Sequence, residues 1–373
     1  MHKVFVPVNY QYLKSIVPGV GLALVFCLFS QGINNVLAIE IFGTAKSPIS
    51  TVLIAILLGI IMGNAFTPRP SMMIGLDFTQ QYILKLGIIF LGIRLSFSDL
   101  VKFGSIAIPL VIFCILGVLV LIKLLIKKVP ISSKMSYLIA IGTSVCGATA
   151  IVATAPVINA KKTEVAYAIA NITLFGVIAM LIYPYFAEWY FNDNALEAGL
   201  FLGTSIHETS QVAAAGLIYD QQFNNPETLD VATVTKLIRN TFLVILIPLF
   251  AYLYNRGEVK DKKYSIFSIF PYFVIGFIGM IIVRNLGDQF FSTENDNFYI
   301  WLKFIEYLKI LTTVFLTMAM AAVGISINIG ELRSMGYKPF VVGLIAAVTV
   351  GIISLIYIAV SYTHLTLPTT VFV

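Results

Sequence analysis

The sequence predicts an all-α, polytopic membrane protein organised as an inverted repeat, with two broken or re-entrant helical segments meeting near the bilayer midplane. Three observations predict it. Hydrophobic residues make up 59% of the 373 and charged residues only 11%, far below the roughly 25% of a soluble domain. Apolar runs such as "SIAIPLVIFCILGVLVLIKLLI" (105–126) exceed the roughly 20 residues that cross a bilayer core as helix. Two apolar segments carry the same small polar insertion, "GTSVCGATA" from Gly142 and "GTSIHETSQ" from Gly203.

The apolar runs place nine spans, at 15–36, 47–66, 78–97, 105–126, 164–187, 231–254, 265–286, 301–328 and 339–359. The two polar insertions lie in further apolar segments at 135–160 and 196–219, so residues 1–359 read as one transmembrane domain. The net charge of +6 reports orientation in such a chain and gives no reason to expect a nucleic acid. Basic residues gather at Lys3 and Lys14, at Arg69, at Lys123, Lys127, Lys128 and Lys134, at Lys161 and Lys162, at Arg256, Lys260, Lys262 and Lys263, and at Arg333 and Lys338. The segments "EWYFNDNALE" (188–197), "DQQFNNPETLD" (220–230) and "GDQFFSTENDN" (287–297) are acidic and lack Lys and Arg. A cytoplasmic N-terminus puts the basic clusters on one face, provided that 135–160 dips in from the cytoplasm and 196–219 from outside. If both segments cross fully instead, Lys161 and Lys162 are stranded outside.

Repetition supports inversion. "LGIRLSFSDL" (91–100) aligns with "VGISINIGEL" (323–332), with Gly104 and Gly336 following, and the two copies run in opposite directions through this topology. Inverted repeats with non-helical backbone near the midplane are an architecture of secondary transporters.

A break at Gly-Thr-Ser ends one half-helix and starts another inside the membrane, exposing unpaired N–H groups and a positive dipole end. Two such starts approaching from opposite faces build a pocket suited to an anion. Ser205, Ile206, His207 and Glu208 have the S-x-x-E spacing of a capping box, which predicts a helix start there. Thr143 and Ser144 are the corresponding caps before Cys146 and Gly147.

His207 is the histidine away from the chain ends, and an ionisable residue within a span is a functional hypothesis. With Glu208 it is the candidate for coupling to H+ or Na+. In "DVATVTKLIRNTF" (230–242), Thr233, Lys236 and Asn240 share a helical face with Arg239 beside it. Facing inward, Lys236 and Arg239 are counter-charges for an anion or for Glu208. The expected substrate-binding set is Thr143, Ser144, Cys146, Gly147, Thr204, Ser205, His207, Gln211, Lys236, Arg239 and Asn240.

Each has a plainer reading. Gly, Ser and Thr permit close helix packing in membranes. His207 can be a neutral ring on a backbone carbonyl, and Glu208 can simply close a capping box. Lys236 and Arg239 can snorkel to the interface. Asp77, Lys85 and Arg94 are weaker candidates. Cys27 and Cys114 read as small buried hydrophobes, and the three cysteines carry no disulfide or metal spacing.

"LGIRLSFSDL", "GTSVCGATAIVATAPVI", "GTSIHETSQVAAAG" with "ATVTKLIRN", and "AVGISINIGEL" together resemble the YeiH-type family of bacterial inner-membrane proteins, to which sulfate export is ascribed. The resemblance runs to about residue 359. That family's "SIHD"-like segment stands here as "SIHET", which keeps the carboxylate and lengthens its reach. The family is in turn similar to the cation–proton antiporters and bile-acid-type symporters, a similarity that implies broken helices crossing at a substrate site.

The expected function is a secondary transporter of a small inorganic or organic anion, sulfate-like or a sulfonate, working by alternating access. A passive anion channel is the alternative. No cofactor or metal is expected, and a homodimer is one assembly that this reading allows. The sequence has no GxxxxGK[ST], HExxH or GxSxG, so no nucleotide-driven or enzymatic chemistry is expected. The tail "VSYTHLTLPTT" (360–370) breaks an apolar span abruptly and resembles translated sequencing adapter. The native chain is expected to diverge near Val360, which leaves His364 out of any site.

Overall fold

The computed structural model describes residues 10–42, 47, 49–66, 68–125, 132–254, 271–291, 298–330 and 337–363. Lys3, Lys127, Lys128, Arg256, Lys260, Lys262, Lys263, Arg333, Gly336 and His364 lie outside them, as does the tail from 364 on. The described residues are helical, with no strand among them. In chain order the helices are α1 (Tyr10–Val36), α2 (Thr51–Ala65), α3 (Pro70–Phe78), α4 (Leu84–Leu91), α5 (Phe97–Leu125), α6 (Ser133–Ser144), α7 (Ala148–Thr154) and α8 (Lys162–Phe191). They continue with α9 (Ala195–Ser205), α10 (Thr209–Phe223), α11 (Pro226–Thr241), α12 (Leu243–Tyr254), α13 (Phe273–Phe290), α14 (Phe298–Ser326) and α15 (Tyr337–Thr363). A π turn at Thr79–Ile83 joins α3 to α4. Eight helical stretches are long and apolar enough to cross a membrane, and the shorter α2 is apolar as well. The chain is therefore a multi-pass α-helical membrane protein.

The helices fall into two compact units, residues 1–96 with 273–330, and residues 97–272 with 331–373. "LGIRLSFSDL" runs from the end of α4 to the start of α5, and the described residues 323–330 of "VGISINIGEL" run past the end of α14. Helices α4 and α14 belong to the first unit, and α5 and α15 to the second.

The first unit is packed through glycines, because a bilayer supplies no hydrophobic drive between helices and close backbone approach must do the work. Gly19 of α1 and Gly75 of α3 face one another, as do Gly59 of α2 and Gly324 of α14. Polar side chains complete these seams. Gln80 Nε2 donates to the Ala322 carbonyl (3.0 Å) and to Ser326 Oγ (2.7 Å), and Asn64 Nδ2 donates to the Ile327 carbonyl (2.8 Å). A Cβ at Gly59 would lie 2.6 Å from the Ala321 carbonyl oxygen and 3.0 Å from the Gly324 Cα. Gly59→Val is expected to lower stability by about 1–3 kcal/mol through overpacking, read as earlier unfolding of purified protein on denaturant titration. Unchanged unfolding would deny this helix contact.

In the second unit α8 sets the scale, since its 30 residues span roughly 45 Å. The α6–α7 segment begins and ends at the start of α8. Ser132 Oγ donates to Glu164 (2.5 Å), Lys134 Nζ to the Asn159 carbonyl (2.7 Å), and the Lys161 amide to Glu164 (2.8 Å). The α9–α10 segment begins and ends at the other end of α8. Asn225 Nδ2 donates to Asp193 Oδ1 (2.8 Å), and Tyr219 Oη donates to Glu188 (2.5 Å). Each is a helical hairpin, and the two enter the unit from opposite ends of α8.

Candidate functional site

The breaks form the hairpin tips and fall at the same positions of the two "GTS" motifs. Helix α6 ends at Ser144 and α9 at Ser205, and the next helices start at Ala148 and Thr209. Between them Val145 leaves the helical region (φ −125°, ψ −93°) and Gly147 has φ +68°, ψ −128°. In the second tip Ile206 and Glu208 are extended.

The capping register differs from the sequence expectation. Thr143, Ser144 and Ser205 are the last residues of their incoming helices, so their hydroxyls stand at C-terminal ends and cap no helix start. Three residues leave the helix to turn each hairpin, which moves the outgoing start beyond them. Glu208 is the N-cap of α10, and Gln211 Oε1 accepts from the Glu208 amide (3.1 Å). Gln211 Nε2 also donates to the Thr173 carbonyl (3.3 Å). The cap of α7 is Gly147, which brings no side chain.

Lys236 and Arg239 hold the tips together. Both are 0% exposed. Lys236 Nζ donates to the carbonyls of Val145 (2.9 Å), Ile206 (2.8 Å) and His207 (2.5 Å), which uses every proton that an ammonium has. Arg239 donates through Nε to Ser144 (2.7 Å), through Nη1 to Thr204 (2.6 Å) and Ile206 (3.2 Å), and through Nη2 to Thr143, all backbone carbonyls. These carbonyls are the orphan acceptors of two helix C-termini, where a cation is electrostatically favoured. The two side chains therefore neither snorkel nor present an ammonium or a guanidinium fork to an anion, as the sequence reading allowed. Helix α11 begins at Pro226, five residues before the expected span, so Lys236 sits roughly 15 Å along it. That depth is what puts both cations among the tips.

Around this knot lies a set of polar atoms with no hydrogen-bond partner among the described residues. They are Thr143 Oγ1, Ser144 Oγ, Ser205 Oγ, Asn240 Oδ1 and both ring nitrogens of His207, itself 1% exposed. Buried polar groups are ordinarily satisfied, and each exception calls for a ligand, a water or a functional reason. Cys146 and Gly147 are buried in the first tip. Glu208 is partly exposed, packed against Gly147, where a Cβ would meet its side chain.

Every residue of the expected set falls in this one unit at or beside the tips, except that Thr204 is used in packing. Its hydroxyl bonds the Leu200 carbonyl (2.7 Å) and Ser354 Oγ of α15 (2.7 Å). Asp77, Lys85 and Arg94 belong to the first unit. Thr209, whose Oγ1 accepts from Asn240 Nδ2 (3.0 Å), and Ser354 are contributors that sequence reasoning missed. Thr209 stood legibly beside Glu208 in "HETSQ", whereas nothing around Ser354 marks it.

Comparison with other proteins agrees with the motifs. The profile of a family described as conserved hypothetical protein 698 matches residues 21–343. A UPF0324 membrane protein of Streptococcus agalactiae is 36% identical over 305 residues, covering 80% of this chain and 86% of its own. Those of Fusobacterium nucleatum and Clostridium tetani are 33% identical over 322 residues and 28% over 357, covering 85% and 92% of this chain and 91% and 96% of their own. No solved structure matches the chain. The protein thus belongs to the conserved hypothetical protein 698 family of UPF0324 membrane proteins, the YeiH-type group that its motifs resemble.

Proposed function

We propose that this protein is a secondary transporter of a small anion, driven by H+ or Na+, with the substrate seated at the hairpin tips. One observation carries the reading: two hairpins entering from opposite ends meet at a buried centre with two cations, one carboxylate and several unpaired polar groups. Non-helical backbone at membrane depth is tolerated where it lines a site, and half-helix ends there are the usual ion and substrate contacts of such transporters. Lys236 and Arg239 outweigh Glu208, so the centre favours negative solute. They act as fixed charges behind the carbonyls, while His207, Ser205, Thr143 and Ser144 are the groups free to hydrogen-bond it. Sulfate-like oxyanions and sulfonates fit this mix of donors. The N-terminus is assigned to the cytoplasm of a bacterial inner membrane by the basic clusters.

The test is uptake of radiolabelled sulfate and thiosulfate into proteoliposomes. Wild-type uptake is expected to saturate and His207→Ala to lower it at least about tenfold, the cost of one lost charge-assisted bond. The ring bonds nothing in the protein, so the variant should stay folded and isolate function from stability. Undiminished saturable uptake by His207→Ala would move the site elsewhere, and unsaturable flux would mark a channel.

A further inference from the structure

We propose that the Glu208 carboxylate is a tethered occupant of the anion seat, so that a free anion binds at the tips only once Glu208 has taken up a proton. The proposal rests on the transport reading above and deepens it by naming the proton as the coupling ion.

The carboxylate already sits where a substrate anion would. It belongs to the N-cap residue of a 15-residue helix, and Lys236 and the Thr173 hydroxyl face it. The Ala148 amide of the opposite tip lies against it too. Gly147 makes this possible, since a Cβ there would meet Glu208 Cγ and approach Oε1 to 3.2 Å. The protein's own negative group thereby fills the positive end that two tips create together. The second observation is independent of the helix end. His207, next in the chain and 1% exposed, has two ring nitrogens without a partner, and the Ser205 hydroxyl has none either. These atoms are buried, unpartnered donors and acceptors of the same tip, and the His207 ring faces the charges of Arg239 and Lys236.

Charge favours the exchange. With Glu208 ionised, the centre carries two positive charges against one negative. A proton on Glu208 leaves both cations unopposed and turns the carboxylate from a competitor into a donor. The other groups facing Glu208 do not take over this role. From α11 the Lys236 ammonium faces it with all its protons engaged, and Asn240 reaches only as far as Thr209. From α8 comes the neutral Thr173 hydroxyl, and from the first tip the Cys146 thiol. No other carboxylate faces it among the described residues. The proton passes from bulk water to Glu208 as the anion arrives and leaves with it, so the cycle moves both in one direction.

Binding of radiolabelled sulfate and thiosulfate to purified full-length protein, followed from mildly acidic to mildly alkaline pH, tests this. Wild-type affinity is expected to fall by up to about tenfold per pH unit as Glu208 ionises, the slope of one linked proton. Glu208→Gln should bind at least as tightly as wild type at acid pH, with no pH slope. Glu208→Asp, which keeps a titrating carboxylate, should retain the slope. A second readout needs no variant: adding sulfate to wild-type protein in weak buffer should take up about one proton per anion bound. A wild-type slope in Glu208→Gln, loss of its binding at every pH in folded protein, or anion binding without proton uptake overturns the proposal. If neither probe binds folded wild type or Glu208→Gln at any pH, the anion reading itself falls and takes this one with it.

Discussion

Arg239→Leu is expected to abolish the folded protein, not merely its transport. The guanidinium is the charged donor to the carbonyls of Thr143, Ser144 and Thr204, while Ile206 keeps Lys236 as a second donor. Three buried acceptors at two helix C-termini are then orphaned. At about 1–3 kcal/mol each, the loss is about 3 kcal/mol at the least, against a native stability of about 5–15 kcal/mol. The lost helix-end charge adds to it. Size-exclusion of detergent-solubilised protein should show aggregate in place of a single peak, and any soluble fraction should unfold far earlier on heating. Arg239→Lys should rescue part of the loss, because it restores charge but offers three donors where a planar fork of five stood. A monodisperse Arg239→Leu protein with wild-type melting would mean that the tips do not depend on this side chain.

Gly147→Ala is expected to be the second most damaging single change. Its φ of +68° with ψ −128° is a conformation that L-residues scarcely adopt, worth about 1–3 kcal/mol of strain. The new methyl would also meet the Glu208 side chain, so the cost cannot be relieved without moving that carboxylate. The expected signature is double: earlier unfolding in denaturant, and a faster reaction of Cys146 with a charged thiol reagent as the tip opens. Labelling is best followed in a background lacking Cys27, buried in the first unit, and Cys114, buried against Arg239 and Thr204. Wild-type stability in Gly147→Ala would show that the tip can turn without this backbone angle.

The helices were legible because apolar length is an additive property of local sequence. The breaks were legible too, because "GTS" repeats within apolar segments that otherwise admit few polar residues. The cap register was not. Ser205 to Glu208 has capping-box spacing, yet α10 starts only at Thr209, since turning a hairpin requires extended residues that no local capping preference counts. The roles of Lys236 and Arg239 were not legible either. Their burial depends on where α11 begins, and the polar "PETLD" turn that extends it does not look like a span.

Composition and hydrophobic pattern alone determined a polytopic helical protein with two polar interruptions, because burial against lipid is decided residue by residue. Only tertiary structure decided that the interruptions are hairpin tips from opposite ends and that two cations seal their carbonyls. It also decided that a carboxylate rests on the opposing amide. The physical reason is that such pairings join groups up to 96 positions apart, and whether a buried charge serves a ligand or a backbone depends on which acceptors the fold brings within reach.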